Sequence, residues 1–85
     1  MYRIIFKKSA IKELQRLPTF AVKNIGKAID RLAETPRPEG SKKLVDSKED
    51  MWRIRVGDYR ILYVIEDKIQ IIDIRRIGHR KDIYK

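Results

Sequence analysis

Five arginines (Arg53, Arg55, Arg60, Arg75 and Arg80), a single histidine (His79) and a near-terminal tyrosine (Tyr84) are the residues of this chain best equipped for chemistry. A guanidinium offers a planar fork that matches phosphoryl oxygens, but it stays protonated and cannot serve as a base. Histidine titrates nearest neutrality and can give or take a proton. Tyrosine can share that task or stack on a base. Together these types suit phosphoryl chemistry on RNA without a metal. RNA carries its own nucleophile, the 2′-hydroxyl beside the scissile phosphate. A protein need only align that group, stabilise the extra charge on the phosphoryl oxygens and move two protons.

Each of these residues also has an ordinary reading. Exposed arginines lie along a sheet with their stems on apolar neighbours and their heads in water. His79 fits a turn, and Tyr84 fits a packing residue that anchors a terminus. Other chemistries lack their parts. The absence of cysteine excludes disulfides and thiolate-bound zinc, and a lone histidine makes none of the usual metal sites. Four scattered glycines match no dinucleotide or nucleotide-triphosphate loop. No metal and no small-molecule cofactor are therefore expected. From composition and spacing alone, the chain reads as a basic α+β domain that binds a polyanion.

The positioning element is a hairpin. Trp52 to Val56 and Tyr59 to Ile65 are alternating runs joined by Gly57-Asp58, a pair suited to the positive φ of a two-residue turn. With that loop, Arg55 faces Arg60, Ile54 faces Ile61 and Trp52 faces Tyr63. Trp52, Ile54, Val56, Tyr59, Ile61, Tyr63 and Ile65 then share one face, and Arg53, Arg55, Arg60, Leu62 and Val64 the other. Like charges directly opposite one another destabilise a ladder. Three arginines on one face with little acid among them point to an anion site.

The remaining elements follow from periodicity. Tyr2 to Phe6 is a strand. Ser9 is expected to cap a helix starting at Ala10, and Thr19 a second helix running to about Glu34, with Pro18 interrupting between them. The segment from Thr35 to Ser41 is a connection, followed by Lys42, Lys43 and Lys48, which could guide an anion towards the hairpin. Asp46, Glu49 and Asp50 partly offset them. A last strand runs from Ile69 to Ile77. Its expected register puts Ile72, Ile74 and Arg76 on the Trp52 face, with Asp73 and Arg75 on the arginine face and Arg75 near Arg60. The order is β-α-α-β-β-β: an antiparallel sheet with two N-terminal helices packed on one face, leaving the arginine face open.

The 85 residues make one domain, 1–85, with a net charge of +9 and a pI near 10. Up to residue 50 there are eight lysines and four arginines; after it, three lysines and six arginines. Arginine, not lysine, supplies the fork that fits phosphate, so the second half is the expected contact half. No stretch reaches the roughly 18 apolar residues of a membrane span, and charge begins too early for a signal peptide. A cytoplasmic location is the default.

Two segments, Trp52-Arg53-Ile54-Arg55-Val56-Gly57-Asp58-Tyr59-Arg60 and Gly78-His79-Arg80-Lys81-Asp82-Ile83-Tyr84, resemble those of the RelE/ParE superfamily of toxins from type II toxin–antitoxin systems, the RelE branch more closely. The resemblance covers nearly the full length and implies a RelE-like, microbial ribonuclease-type fold. It implies an mRNA interferase, an endoribonuclease acting on the message in the ribosomal A site without metal, silenced by a cognate acidic, RelB-like antitoxin. Position by position, Arg60 matches an arginine that holds the phosphate and Arg80 a basic residue at the transition state or leaving group. Tyr84 matches the tyrosine that orients or activates the 2′-hydroxyl. Arg53 and Arg55 stand where some members have lysines, which weakens any scheme with a base there and draws His79 in as a proton carrier. Arg55, Arg60, Arg80, Tyr84 and His79 are thus the expected catalytic set. Arg53, Arg75, Lys42, Lys43 and Lys81 are the expected RNA-binding residues. The rivals are a ParE-like inhibitor of DNA gyrase and a non-catalytic RNA-binding module.

Overall fold

In the computed structural model, which describes residues 1–45 and 49–84, two helices lie against one face of a five-stranded sheet. The elements are β1 (Arg3–Phe6), α1 (Lys8–Gln15), α2 (Thr19–Glu34), β2 (Lys42–Lys43), β3 (Met51–Val56), β4 (Tyr59–Glu66) and β5 (Ile71–His79). Asp46 and Lys48 of the charged segment lie outside the described residues.

The hairpin forms in the expected register. Val56 pairs with Tyr59, Arg55 with Arg60, Ile54 with Ile61 and Trp52 with Tyr63. Gly57 adopts φ +60°, the left-handed region in which glycine avoids a Cβ clash. The core follows from this alternation. Ile54, Ile61, Tyr63, Ile65, Ile72, Ile74 and Ile77 meet Ala21, Ile25, Ile29 and Leu32, which recur at helical spacing on α2. Each fully buried isoleucine contributes about 1.5–3 kcal/mol relative to exposure.

Besides the added two-residue strand β2, three features depart from the expectation. First, β1 runs parallel to β5, with Arg3 beside Ile71 and Phe6 beside Ile74, so the sheet is mixed in the order β1-β5-β4-β3-β2. Two helices separate β1 from the hairpin, so no tight turn dictates its direction. Second, Ser9 and Thr19 sit inside the first turns of their helices. Lys7 and Pro18 are the capping positions, and neither makes a side-chain cap.

Third, β5 carries a bulge. Ile74 pairs with Tyr63 but Arg76 pairs with Leu62, leaving Arg75 as the extra residue. The bulge changes the parity of everything after it. Arg76 moves to the arginine face, Ile77 joins the core opposite Ile61, Gly78 lies opposite Arg60, and His79 lies opposite Tyr59 on the helix-covered face. Where β1 ends, the carboxylate of Glu13 on α1 takes over the exposed edge of β5. It accepts the Ile77 N–H at 3.1 Å and hydrogen bonds from Arg76 Nε and Nη2 at 3.2 and 3.1 Å.

Candidate functional site

The arginine face is partly roofed by the chain's own C-terminus. After β5, the N–H groups of Asp82 and Ile83 both donate to the His79 carbonyl, closing a tight turn. Ile83 is buried, and its Cδ1 lies 3.3 Å from where a Cβ on Gly78 would stand. The missing side chain at position 78 gives Ile83 room to settle on the sheet opposite Arg60. Arg76 Nη1 donates to the Ile83 carbonyl at 3.0 Å and ties the turn down. At the other end, the Arg80 N–H donates to the Asp58 carbonyl at 2.8 Å, and its Nε stands 3.6 Å from the Asp58 carboxylate.

The consequence is a cavity of about 350 Å³ walled by Arg53, Arg55, Arg60, Arg80, Lys81 and Tyr84. Three strands' worth of sequence separates these groups, yet the hairpin register and the C-terminal turn bring them together. Arg60 is held from beneath, with Nη1 donating to the carbonyls of Gly57 and Tyr59 at 3.0 and 2.9 Å. Burial pushes its pKa below the ordinary arginine value. The charge of Arg55 adds to that, Tyr84 opposes it, and Arg53 and Arg80 contribute in the same direction as Arg55. Arginine does not lose its proton in proteins. The shift instead registers a cation crowded by cations, and an anion placed among them relieves that repulsion.

Not every expected residue arrives. Arg75 stays on the same face but is committed elsewhere. Its two terminal nitrogens clasp both oxygens of Glu49 at 2.8 and 2.7 Å, and its Nε donates to Asp73 at 2.8 Å. Glu49 first, and Asp73 second, hold its pKa above the ordinary arginine value, and Arg75 in turn lowers that of Glu49. Lys43 faces away from Arg53, beside Trp52, and pairs with Asp50 at 2.9 Å. Lys42 lies opposite Arg53 but walls an adjoining cavity.

His79 lies apart from the other expected catalytic residues. The bulge turns it from the arginine face to the helix side, where its ring meets Tyr59 edge-on at 5.5 Å, with Phe20 beyond Tyr59 at 6.4 Å. Its Nδ1 accepts the Lys81 N–H at 3.1 Å. It lines a separate pocket with Phe20, Asn24, Val56 and Asp58 and takes no part in the arginine cavity. Sequence reasoning also missed Arg31, which reaches the adjoining cavity from α2. A lone arginine on a helix carries no signal of that reach.

Chemically, the cavity offers four guanidinium groups and an ammonium for phosphoryl oxygens. Tyr84 is its one lining side chain that both accepts and donates a hydrogen bond. Among the described residues, no group of three or more His, Cys, Asp or Glu is placed to hold a metal, and no helix is long and apolar enough to cross a membrane.

Comparison with known proteins gives concordant results. Residues 4–84 match the family described as the ParE toxin of the type II toxin–antitoxin system parDE. Toxin RelE3 of Methanocaldococcus jannaschii is 33% identical over 85 residues, covering 96% of this chain and 94% of that protein. Among solved structures, the archaeal RelE–RelB complex of Pyrococcus horikoshii OT3 superposes with a TM-score of 0.83 at 30% identity, covering 95% of this chain and 97% of the other. The toxin–antitoxin complex RelBE2 of Mycobacterium tuberculosis gives 0.81 at 29% identity, covering 93% and 98%.

Proposed function

This chain belongs to the ParE toxin family and is a RelE-like toxin of a type II toxin–antitoxin system, and from that premise we propose that it is an endoribonuclease that cuts messenger RNA in the ribosomal A site. The observation that carries the reading is the convergence of Arg53, Arg55, Arg60, Arg80 and Tyr84 on one open cavity. In the reaction, the 2′-oxygen attacks the adjacent phosphorus and the bond to the 5′-oxygen breaks. The proton leaves the 2′-hydroxyl and one is gained by the departing 5′-oxygen. The products are a 2′,3′-cyclic phosphate (or its opened form) and a 5′-hydroxyl.

Arg55 and Arg60, paired across the hairpin, bind the non-bridging oxygens and stabilise the charge that builds on them. Arg80 serves the leaving oxygen, and Arg53 holds the backbone. Tyr84 orients the 2′-hydroxyl through its phenolic oxygen. The RNA supplies the nucleophile, so this scheme calls for no metal. His79 has no role in it, because its ring lies on the other side of the sheet. A cognate acidic, RelB-like antitoxin is the inhibitor in this scheme. The RelE–RelB complexes among the structural relatives and the net charge of +9 both support that partner.

The test maps message ends on translating ribosomes after expression of wild type, Arg60→Ala and Tyr84→Phe. Codon-dependent cuts are expected from wild type, reduced about 10²-fold or more in each variant. A second reading, inhibition of DNA gyrase without RNA chemistry, draws on the ParE description of the matched family. Unbroken transcripts beside arrested growth and damaged DNA would establish that rival and remove the ribonuclease.

A further inference from the structure

Arg53 is only 6% exposed, and among the described residues no carboxylate lies within ion-pairing distance of it. Of the half-buried arginines, Arg75 is held by Glu49 and Asp73 and Arg76 by Glu13, whereas Arg60, in the arginine cavity, is held by the carbonyls of Gly57 and Tyr59. Shielding a charge from water without a counter-charge is unfavourable. The chain's acids go to arginines outside the cavity or, with Asp58 beside Arg80, at its rim, and the most buried arginine is kept ready for an anion from outside.

The location says which anion. Arg53 and Arg55 form a shared wall between the arginine cavity and a second cavity of about 360 Å³. That second cavity is completed by Arg31 and Ala28 of α2, by Pro38 to Gly40 of the connection, and by Lys42. Its charged walls are four cations against one carboxylate, the exposed Glu39. Strand β2 pairs only with Trp52 and Arg53, so among the described residues no strand pairs with the outer edge of β3 from Ile54 onward. A strand bound in the arginine cavity can therefore pass over Arg53 and Arg55 and continue around that edge.

We infer that the cavity lined by Arg31, Lys42, Arg53 and Arg55 is a second phosphate subsite, which holds a neighbouring phosphodiester of the RNA strand whose reacting phosphate lies in the arginine cavity. This rests on the ribonuclease reading and extends it. Arg53 is the shared clamp between the two phosphates. Arg31 and Lys42 belong to the second alone.

The experiment measures binding of a short 2′-O-methyl oligoribonucleotide, which cannot be cut, against salt concentration. The proteins compared are wild type, Arg60→Ala, an Arg31→Ala/Lys42→Ala double variant, and a charge-matched control, Lys23→Ala/Lys27→Ala, on exposed positions of α2 outside both cavities. For single strands the slope of log affinity against log salt changes by about 0.7 for each phosphate that is no longer neutralised. The Arg31/Lys42 variant is expected to be shallower by about that amount, and the control to match wild type. For a dinucleoside monophosphate, which has one phosphodiester, the Arg31/Lys42 variant should bind as wild type does.

An unchanged slope in the Arg31/Lys42 variant, with a shallower one in Arg60→Ala, overturns the subsite and leaves the ribonuclease reading intact. A slope unmoved by Arg60→Ala as well removes both. An Arg31/Lys42 variant that keeps its RNA slope but loses affinity for an acidic peptide assigns the cavity to a carboxylate and also overturns the proposal.

Discussion

At the scale of single residues, what a side chain does is decided by the face it occupies and by what already holds it. Arg55 and Arg60 were legible because Gly57-Asp58 fixes the hairpin and the hairpin fixes the pairing. Arg75 was not, because a bulge has no compositional mark here and Glu49 reaches Arg75 from 26 residues away. The same bulge carries His79 to the Tyr59 side. A histidine that shares no cavity with the arginines should be dispensable for cleavage. His79→Asn, whose amide oxygen can still accept the Lys81 N–H, is expected to change the rate of message cutting by less than about threefold, against about 10²-fold for Arg60→Ala. Primer-extension rates on ribosome-bound message measure this. A drop in His79→Asn comparable to that in Tyr84→Phe would return the imidazole to the chemistry.

At the scale of elements, the alternating strands and the two helices could be read from their periods, but the devices that lock them together could not. The turn between β4 and β5 spans four residues, an even number, which keeps the expected parity of β5 up to Ile74. The connection after α2 is fixed by interactions with no local signature. The Tyr63 hydroxyl, wholly buried, donates to the Pro36 carbonyl at 2.8 Å. Arg37 stacks over Trp52 at 5.1 Å and pairs with Asp67 at 2.8 Å. Burial pushes the Tyr63 phenol up to about 12, against the opposing influences of Arg37 and Ser41. In the unfolded chain the phenol ionises near pH 10. A raised folded pKa gives a contribution that is complete below about pH 10 and is lost as pH climbs towards about 12. Urea unfolding across that window should show wild type losing about 2 kcal/mol more than Tyr63→Phe, with lysine and arginine titration common to both. At neutral pH, Tyr63→Phe should cost about 1 kcal/mol for the missing hydrogen bond. Parallel alkaline profiles for the two proteins would mean that the phenol is hydrated and does not anchor the connection.

At the scale of the whole molecule, a net charge of +9 is spread over a body of 34 × 27 × 26 Å, and its acids are used unevenly. Glu13, Glu49, Asp67 and Asp73 tie arginines into the framework. Among the described residues, the cavity arginines Arg53, Arg55 and Arg60 have no such partner, so the uncompensated field concentrates at the site. That asymmetry should govern how the proposed acidic antitoxin finds the toxin more than how long it stays. Long-range attraction accelerates encounter and is screened over a Debye length, which shrinks from about 10 Å at 0.1 M salt to about 3 Å at 1 M. Interactions made after docking lie inside that distance. Stopped-flow association of the toxin with its antitoxin should therefore slow by about tenfold or more between about 0.05 and 0.5 M salt, with dissociation changing several-fold less. Neutralising Arg55 and Arg60 together should flatten the salt dependence of association. Removing Lys23 and Lys27, which are exposed on α2 away from the cavity, should not. Equal flattening by both pairs would show that the antitoxin responds to total charge, and that the cavity has no privileged part in the encounter.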